Sequence, residues 1–466
     1  MELHDLTALE QGAAIRAGEV SSAELVEHYL ARIRKYDATL GAFITVTGDQ
    51  ARERATSVDA QGPLAGVPTA VKDLTATAGV RTTYGSRIYE EFVPDHSDEV
   101  VLRMEAAGLV SLGKTNTPEF GTPCYTEPDV APPAVTPWDL TRTAGGSSGG
   151  AGTAVAGGLV PFAHGSDGAG SIRIPASCCG IVGLKPSRGR ISGAPFFGEV
   201  TGLATSGPLA RTVRDTAALL DVMAGPAPGE PTWAPPTEES FLAACDRRPG
   251  PLRIGLLVEP VLSDAPVAPE CLAAVDEATQ LLEQLGHHVE EIERPMDRQD
   301  VRGFAPVWDV LASLSTFRLE PDQRALLRPV TRWLAEQGER FSAPQFAAAL
   351  SELRQAGART LARVAAYDLV LTPTLAQLPV PVGSFRNDDD PAADFRAQGA
   401  FTPWTSMWNV TGSPAISLPL HWTAEGLPVG VMLAAKPTRE DLLLAVSAQL
   451  EEAAPWRHRT PPCWAQ

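Results

Sequence analysis

Residues 145–175, GGSSGGAGTAVAGGLVPFAHGSDGAGSIRIP, hold ten glycines in 31 positions and constrain the fold more than any other part of the chain. Glycine is used where the backbone takes a positive φ or must approach another group closely. Two clusters carry serine as well, GGSSGG at 145–150 and DGAGS at 167–171. Serine-bearing loops so near each other predict backbone set against a reacting group, beyond what turning the chain requires. The small apolar run between them, 151–160, predicts a tightly packed helix behind the first loop.

Three chemistries can be read into such loops. A phosphate cradle needs GxxxxGK[ST], or GxGxxG with an acidic residue about twenty positions later, and neither cluster has that lysine or spacing. Residues 145–149 satisfy GxSxG, the nucleophile elbow, but an elbow follows an apolar strand and 138–144 (WDLTRTA) is polar. An elbow also needs a histidine with a carboxylate partner, and none of His164, His287, His288, His421 and His458 has one evident in sequence. The third chemistry is a serine activated by a neutral lysine. Of 38 basic residues only Lys35, Lys72, Lys114, Lys185 and Lys436 are lysine, and arginine does not give up its proton. Lys72 ends the apolar segment 67–71. Burial there would disfavour its charged form and make it a base, whereas pairing with Asp73 would make it structural. Lys114 and Lys185, in GKTNTP and LKPS, are expected to hydrogen-bond turns.

The flanking sequence alternates helix and strand signals. A capping box, Ser21 with Glu24, starts a helix with Leu25, Val26, Tyr29, Leu30 and Ile33 on one face, ending near Tyr36. A second box, Thr212 with Asp215, starts a helix that stops at Gly225. Residues 98–107 read as a helix and 109–112 as a strand; 252–258, 270–285 and 289–292 read as strand, helix and strand. Buried strands are expected at 369–371, 415–418 and 429–433, a mostly helical region at 300–365, an irregular active-site wall at 121–143 and a proline-rich surface excursion at 226–236. This alternation predicts α/β architecture.

Composition narrows the class. No apolar run reaches the roughly 18–20 residues that span a bilayer, and MELHDLTALEQ lacks a basic-then-apolar signal, so a soluble cytoplasmic protein is expected. A net charge of −18 argues against a nucleic-acid partner. Cys124, Cys178, Cys179, Cys245, Cys271 and Cys463 contain no CxxC pair and read as buried thiols, not as a zinc site or a disulfide framework.

Taken together, AVKDL with Lys72 placed 75 residues before Ser147, GGSSGG, and GSDGAGSIRIPAS with Ser171 placed 24 residues after Ser147 resemble the amidase signature family. The likeness continues through GKTNTPEFG (113–121), PWDLTRTAGGSSGG (137–150), GLKPSRGRIS (183–192), NVTGSPAISLP (409–419) and GLPVGVMLA (426–434). Within the family, TEPD (126–129), AHGSDGAGS (163–171), PECLAAVDEA (269–278) and LGHHVEE (285–291) look most like the 6-aminohexanoate cyclic dimer hydrolase branch, which takes an uncharged, compact amide.

The resemblance implies a single amidase domain over 1–466, with a signature core at about 62–225 and a helical substrate-side region at about 300–365. It implies a mixed central β-sheet flanked by helices, and hydrolysis of a carbon–nitrogen amide bond with no metal or organic cofactor. Ser171 would be the nucleophile, Ser147, after a cis peptide, the bridging serine, and Lys72 the base. Backbone N–H groups of Gly168, Ala169, Gly170 and Ser171 would hold the oxyanion. Three departures stand out: Ala169 replaces a glycine, Thr136 replaces an asparagine, and Ile174 stands where glutaminase subunits of amidotransferases have glutamine. The alternatives from other classes are such a glutaminase subunit, and a catalytically silent binding protein on the same fold.

For substrate contacts the expected residues are Gly121, Cys124, Tyr125, Phe196 and Trp404, with Phe197 and Trp408 as further aromatic wall. With no basic cluster among them, the acyl part should be neutral; Arg142 or Arg173 facing the substrate would reverse that. The expected partner is a small-molecule amide, linear or cyclic, with neither nucleic acid nor membrane; the assembly stays open, a homodimer among the choices.

Overall fold

The computed structural model describes residues 2–58, 61–196, 199–301 and 303–464, and among these eleven strands form two sheets. The smaller sheet contains β1 (Phe43–Val46), β2 (Pro68–Lys72) and β3 (Val110–Thr115), with β3 central, antiparallel to β1 and parallel to β2. The larger contains β4 (Phe162–Asp167), β5 (Val182–Lys185), β6 (Thr205–Ala210), β7 (Arg253–Leu256), β8 (His288–Glu291), β9 (Leu369–Pro373), β10 (Ala415–Trp422) and β11 (Pro428–Ala435). Its order is β4-β6-β5-β10-β11-β9-β7-β8, parallel through β9, β7 and β8 and antiparallel elsewhere, which makes it a mixed sheet.

Sequence pattern and position in the sheet agree. β9 (LVLTP) and β11 (PVGVMLAA) are buried at every residue, as expected for central strands covered on both faces. Alternate residues of β11 face opposite layers. Val431 and Leu433 join the core formed with helices Val213–Met223, Pro269–Gln284 and Glu440–Ala453, whereas Met432 and Ala434 join the core formed with Phe304–Leu314, Ala343–Arg363 and Met407–Thr411. β8 (HVEE), at the sheet's edge, carries charge and is not buried.

Several expected boundaries shift. The Ser21–Glu24 capping box forms, but its helix runs Ser22–Leu40 and ends at Gly41, because Leu40 is also buried against the core. At the second box, Thr212 accepts from the Asp215 N–H at 3.1 Å, yet the Asp215 carboxylate accepts instead from the N–H groups of Ala8 and Leu9, at 2.9 and 3.0 Å. It thereby caps helix Ala8–Ala17 across 206 residues of chain. Strands β1, β4, β5 and β6 were not evident in sequence; β4 (FAHGSD) lies inside the glycine-rich stretch, where small residues mask a period of two.

Candidate active site

β2 carries Lys72 into the interior at its last position. The Lys72 side chain is fully buried, and its Nζ lies 2.8 Å from Ser147 Oγ, 3.2 Å from Ser166 O and 3.1 Å from Ser166 Oγ. A neutral amine fits these three neighbours: two N–H groups for Ser166 and one lone pair for the Ser147 hydroxyl. Burial lowers the Lys72 pKa to about 7, with Asp167 working against the shift. Asp73 is engaged elsewhere: its Oδ2 accepts from Thr83 N at 2.9 Å, and its Oδ1 faces Lys114 Nζ at 4.0 Å. The structural pairing of Lys72 with Asp73 is therefore not seen.

The Lys72 backbone is fixed too. Its N–H donates to His164 Nδ1 at 3.3 Å, and the far nitrogen of that ring lies 3.1 Å from Ser206 Oγ. Burial, with Lys72 and Lys114 adding to it, lowers the His164 pKa to about 3, so the ring is neutral and donates to Ser206. β2 is thereby tied to β4 immediately before the second glycine cluster.

In the first cluster the Gly146–Ser147 peptide is cis. Gly121, at φ +68°, shows how tightly the wall closes on it: a Cβ there would fall 2.4 Å from Leu74 Cδ1 and 3.1 Å from Ser147 Oγ. Ser148 N donates to Ser171 O at 3.0 Å and joins the two clusters.

The second cluster is held by a buried ion pair. Arg173 Nε and Nη2 each donate to the Asp167 carboxylate at 2.9 Å, and Arg173 also reaches Thr405 O at 2.8 Å and Asn409 Oδ1 at 2.7 Å. Burial works to raise the Asp167 pKa, but Arg173, Lys185 and Asn409 outweigh it and hold the carboxyl well below its usual range. Asp167 Oδ1 accepts from Gly170 N at 2.7 Å and Oδ2 from Ile172 N at 3.1 Å. Gly170 is thus withdrawn from the expected set of oxyanion donors. The N–H groups of Gly168, Ala169 and Ser171 have no acceptor among the described residues. Gly170 has its own reason to be glycine, since at φ +137° a Cβ would lie 2.6 Å from Thr405 Oγ1.

Two cavities meet at Ser171. One, of about 180 Å³, is walled mainly by apolar groups including Cys124, Ala169, Ile174, Leu262, Phe304 and Phe395. The other, of about 140 Å³, is lined by Gly121, Ser147, Ser166, Gly168, Leu311 and Ser315 among others. Thr122, Ser171 and Trp308 belong to both, and Trp308 stacks on Phe304 at 5.6 Å between ring centroids. Among the described residues no charged side chain lines either cavity. The Trp308 indole N–H and the Ser406 hydroxyl, both on cavity walls, are buried without a partner among the described residues.

The expected aromatic wall is mostly elsewhere. Tyr125 is buried behind the loop, donating to Asp394 Oδ2 at 2.6 Å, while Trp404 donates to Glu259 O at 3.0 Å and sits with Trp408 in the core. Phe196 is 71 % exposed, against His96, and Phe197 lies outside the described residues. These side chains have the composition of a pocket, but the loops that carry Tyr125, Phe196 and Trp404 and the short helix that carries Trp408 place them in the core or in solvent. Lys114 and Lys185 are buried strand residues; Lys114 bonds Thr75 O in the turn that follows Lys72, as expected, and Lys185 bonds Pro186 O. Arg142 is bound to Asp139 and Pro379 O, away from both cavities. Trp308, Ser166 and Phe304 were not anticipated as wall; the helical pattern at 300–365 was visible, but not which face it turns to Ser171.

A family model described as Amidase matches residues 24–444. The chain is 39% identical over 478 aligned residues to the 6-aminohexanoate-cyclic-dimer hydrolase of Paenarthrobacter ureafaciens, covering 97% of this chain and 96% of that protein. The solved structure of a 6-aminohexanoate cyclic dimer hydrolase complexed with substrate superposes with a TM-score of 0.94 at 36% identity, covering 100% of both chains. A bacterial aryl acylamidase of the amidase signature family superposes with a TM-score of 0.87 at 28% identity over 97% of each chain.

Proposed function

The chain belongs to the amidase family, a hydrolase acting on non-peptide carbon–nitrogen bonds, and from that premise we propose that it cleaves a small, neutral amide through Ser171, Ser147 and Lys72. The observation that carries this reading is the fully buried Lys72, lowered to about pKa 7, 2.8 Å from Ser147 Oγ. Neutral Lys72 takes the Ser147 proton as Ser147 takes that of Ser171, and Ser171 Oγ adds to the amide carbonyl. The N–H groups of Gly168, Ala169 and Ser171 receive the oxyanion, each donor typically worth a few kcal/mol. Collapse expels the amine, which takes back the proton through Ser147, and water then cleaves the acyl-enzyme by the same relay in reverse. The whole chain, 1–466, acts as one amidase domain in this reading, the helices around Trp308 forming its substrate side.

The substrate class follows from the cavity walls. Ser147 lines the second cavity and not the first, so the leaving nitrogen faces the more polar side and the acyl group enters the apolar one. Among the described residues the walls are uncharged and the Trp308 and Ser406 donors lack a partner, which favours a neutral amide, linear or cyclic, with a further neutral carbonyl. The apolar Ile174 beside Ser171 speaks against glutamine as substrate, and hence against an amidotransferase subunit.

A fluorophosphonate labelling experiment read by intact mass tests the assignment. Ser171→Ala should form no adduct and no acyl-enzyme, whereas Ser147→Ala should retain weak turnover. A dead Ser147→Ala beside a near-native Ser171→Ala would show that the elbow reading was right. Linear amides, cyclic amides, anilides and esters screened by mass spectrometry would then define the substrate.

A further inference from the structure

At the face where the two ends of the chain meet, the short turn Leu3–Asp5 and helix Ser22–Leu40 bring two histidines together. His4 is buried, and its Nδ1 lies 3.0 Å from His28 Nε2. Its other nitrogen, Nε2, lies 3.0 Å from the Trp464 carbonyl oxygen. A carbonyl only accepts, so Nε2 carries the proton and Nδ1 presents a lone pair. A neutral imidazole whose outer N–H is held by a backbone carbonyl is the usual setting of a metal-ligating histidine. The Glu2 carboxylate stands beside the pair, and one ligand atom from each of Glu2, His4 and His28 lies within 4.8 Å of the others.

Surrounding groups brace this arrangement, Glu2 and Asp5 through a reciprocal capping box. Asp5 accepts from Glu2 N at 2.7 Å and from Trp464 Nε1 at 2.8 Å, bracing both sides of the cluster. Arg32 is turned to the carbonyls of Gly158 and Gly157, at 2.8 and 3.1 Å, and of Cys463 and Trp464.

We propose that Glu2, His4 and His28 bind a zinc ion that fastens the amino-terminal turn to helix Ser22–Leu40 and the segment at Trp464. Zinc–nitrogen bonds of about 2.0–2.1 Å at a tetrahedral angle set ligand nitrogens about 3.3 Å apart, so the 3.0 Å pair must open by a few tenths of an ångström. His28 is half-buried and Glu2 exposed, so both can adjust while His4 stays anchored. The proton that His28 Nε2 now donates to His4 moves to His28 Nδ1, leaving both facing nitrogens free to ligate. Two imidazoles and a carboxylate suit zinc, with water as fourth ligand, and suit calcium poorly, because calcium takes oxygen. None of the three residues lines the cavities at Ser171, so the metal bears on stability and not on turnover.

Calorimetric titration of the chelator-treated full chain with ZnCl2 should give one saturable equivalent, and CaCl2 none. His28→Gln should weaken zinc binding at least about 100-fold, the upper end of what losing an outer-shell partner costs, and Glu2→Gln should weaken it to a lesser degree. CoCl2 should give the visible bands of a four-coordinate nitrogen and oxygen site with no thiolate charge-transfer band, which excludes cysteine as the ligand. Zinc should raise the unfolding midpoint of the parent chain and not of His28→Gln. Absence of saturable binding, full binding by a folded His28→Gln, or a thiolate band would each overturn the site.

Discussion

Catalysis should titrate through Lys72. An ordinary lysine, with a pKa of about 10.4, has about one amine in 2,500 uncharged at pH 7. Burial lowers Lys72 to about 7, so about half of the molecules carry the free base there, a gain of about 10³. The protonated form is the low-pH form, so kcat/KM for a neutral amide should fall about tenfold per pH unit below about 7 and level off above it. Lys72→Arg keeps its charge at every accessible pH and should lose about 10³-fold or more. Lys114 and Lys185 are also buried, with pKa values lowered to about 8 and about 7, so the limb must be assigned to a residue. With only five lysines in the chain, isotope-labelled lysine resonances can be followed one by one, and Ser147→Ala should shift the resonance in contact with it. A flat profile from about pH 5.5 to 8, or a Lys72 resonance that titrates near 10, would refute the reasoning.

Four further outcomes follow from the same geometry. Gly170→Ala would set a methyl group 2.6 Å from Thr405 Oγ1 at a backbone angle of +137°, and should cost about 1–3 kcal/mol in denaturant unfolding along with fluorophosphonate labelling. Gly168→Ala, with its nearest neighbour Trp308 at 3.5 Å, should fold normally and change KM. Arg173→Met would leave Asp167 buried and unpaired, and a loss of about 3–5 kcal/mol is expected; less than about 1 would mean that the loop has another anchor. A neutral amide should be preferred over an isosteric carboxylate-bearing one at low and high salt alike, because no charged side chain among the described residues lines the cavities; a carboxylate preference that fades with salt would contradict the neutral pocket.

Much of the architecture was legible in the chain. Long periodic helices such as Ser22–Leu40 and Pro269–Gln284, and buried apolar strands such as β9 and β11, declare themselves because their hydrophobic period matches their local geometry. The glycine clusters and the scarcity of lysine pointed to the residues now found together: Lys72 and Ser147 are in contact, and Ser171 lines the same cavity as Ser147. Short local signals carry this kind of information, since glycine spacing and a buried lysine each state a backbone or solvation requirement.

What the chain alone could not decide depends on long-range packing. Composition marked Tyr125, Trp404 and Phe196 as pocket, but an aromatic side chain serves core, cavity or surface equally well, and only the packed helices settle which. Trp308 shares both cavities with Ser171 because helix Phe304–Leu314 packs on helices Pro329–Gly338 and Ala343–Arg363, and nothing local to its sequence records that rotation. Gly170 loses its N–H to Asp167, and Asp215 caps a helix whose sequence lies 206 residues away, because buried carboxylates take the nearest unpaired donors in space. The sequence by itself determined which groups could do the chemistry; the tertiary structure decided which of them meet, since donors, acceptors and cavity walls are shared between segments that are neighbours only after folding.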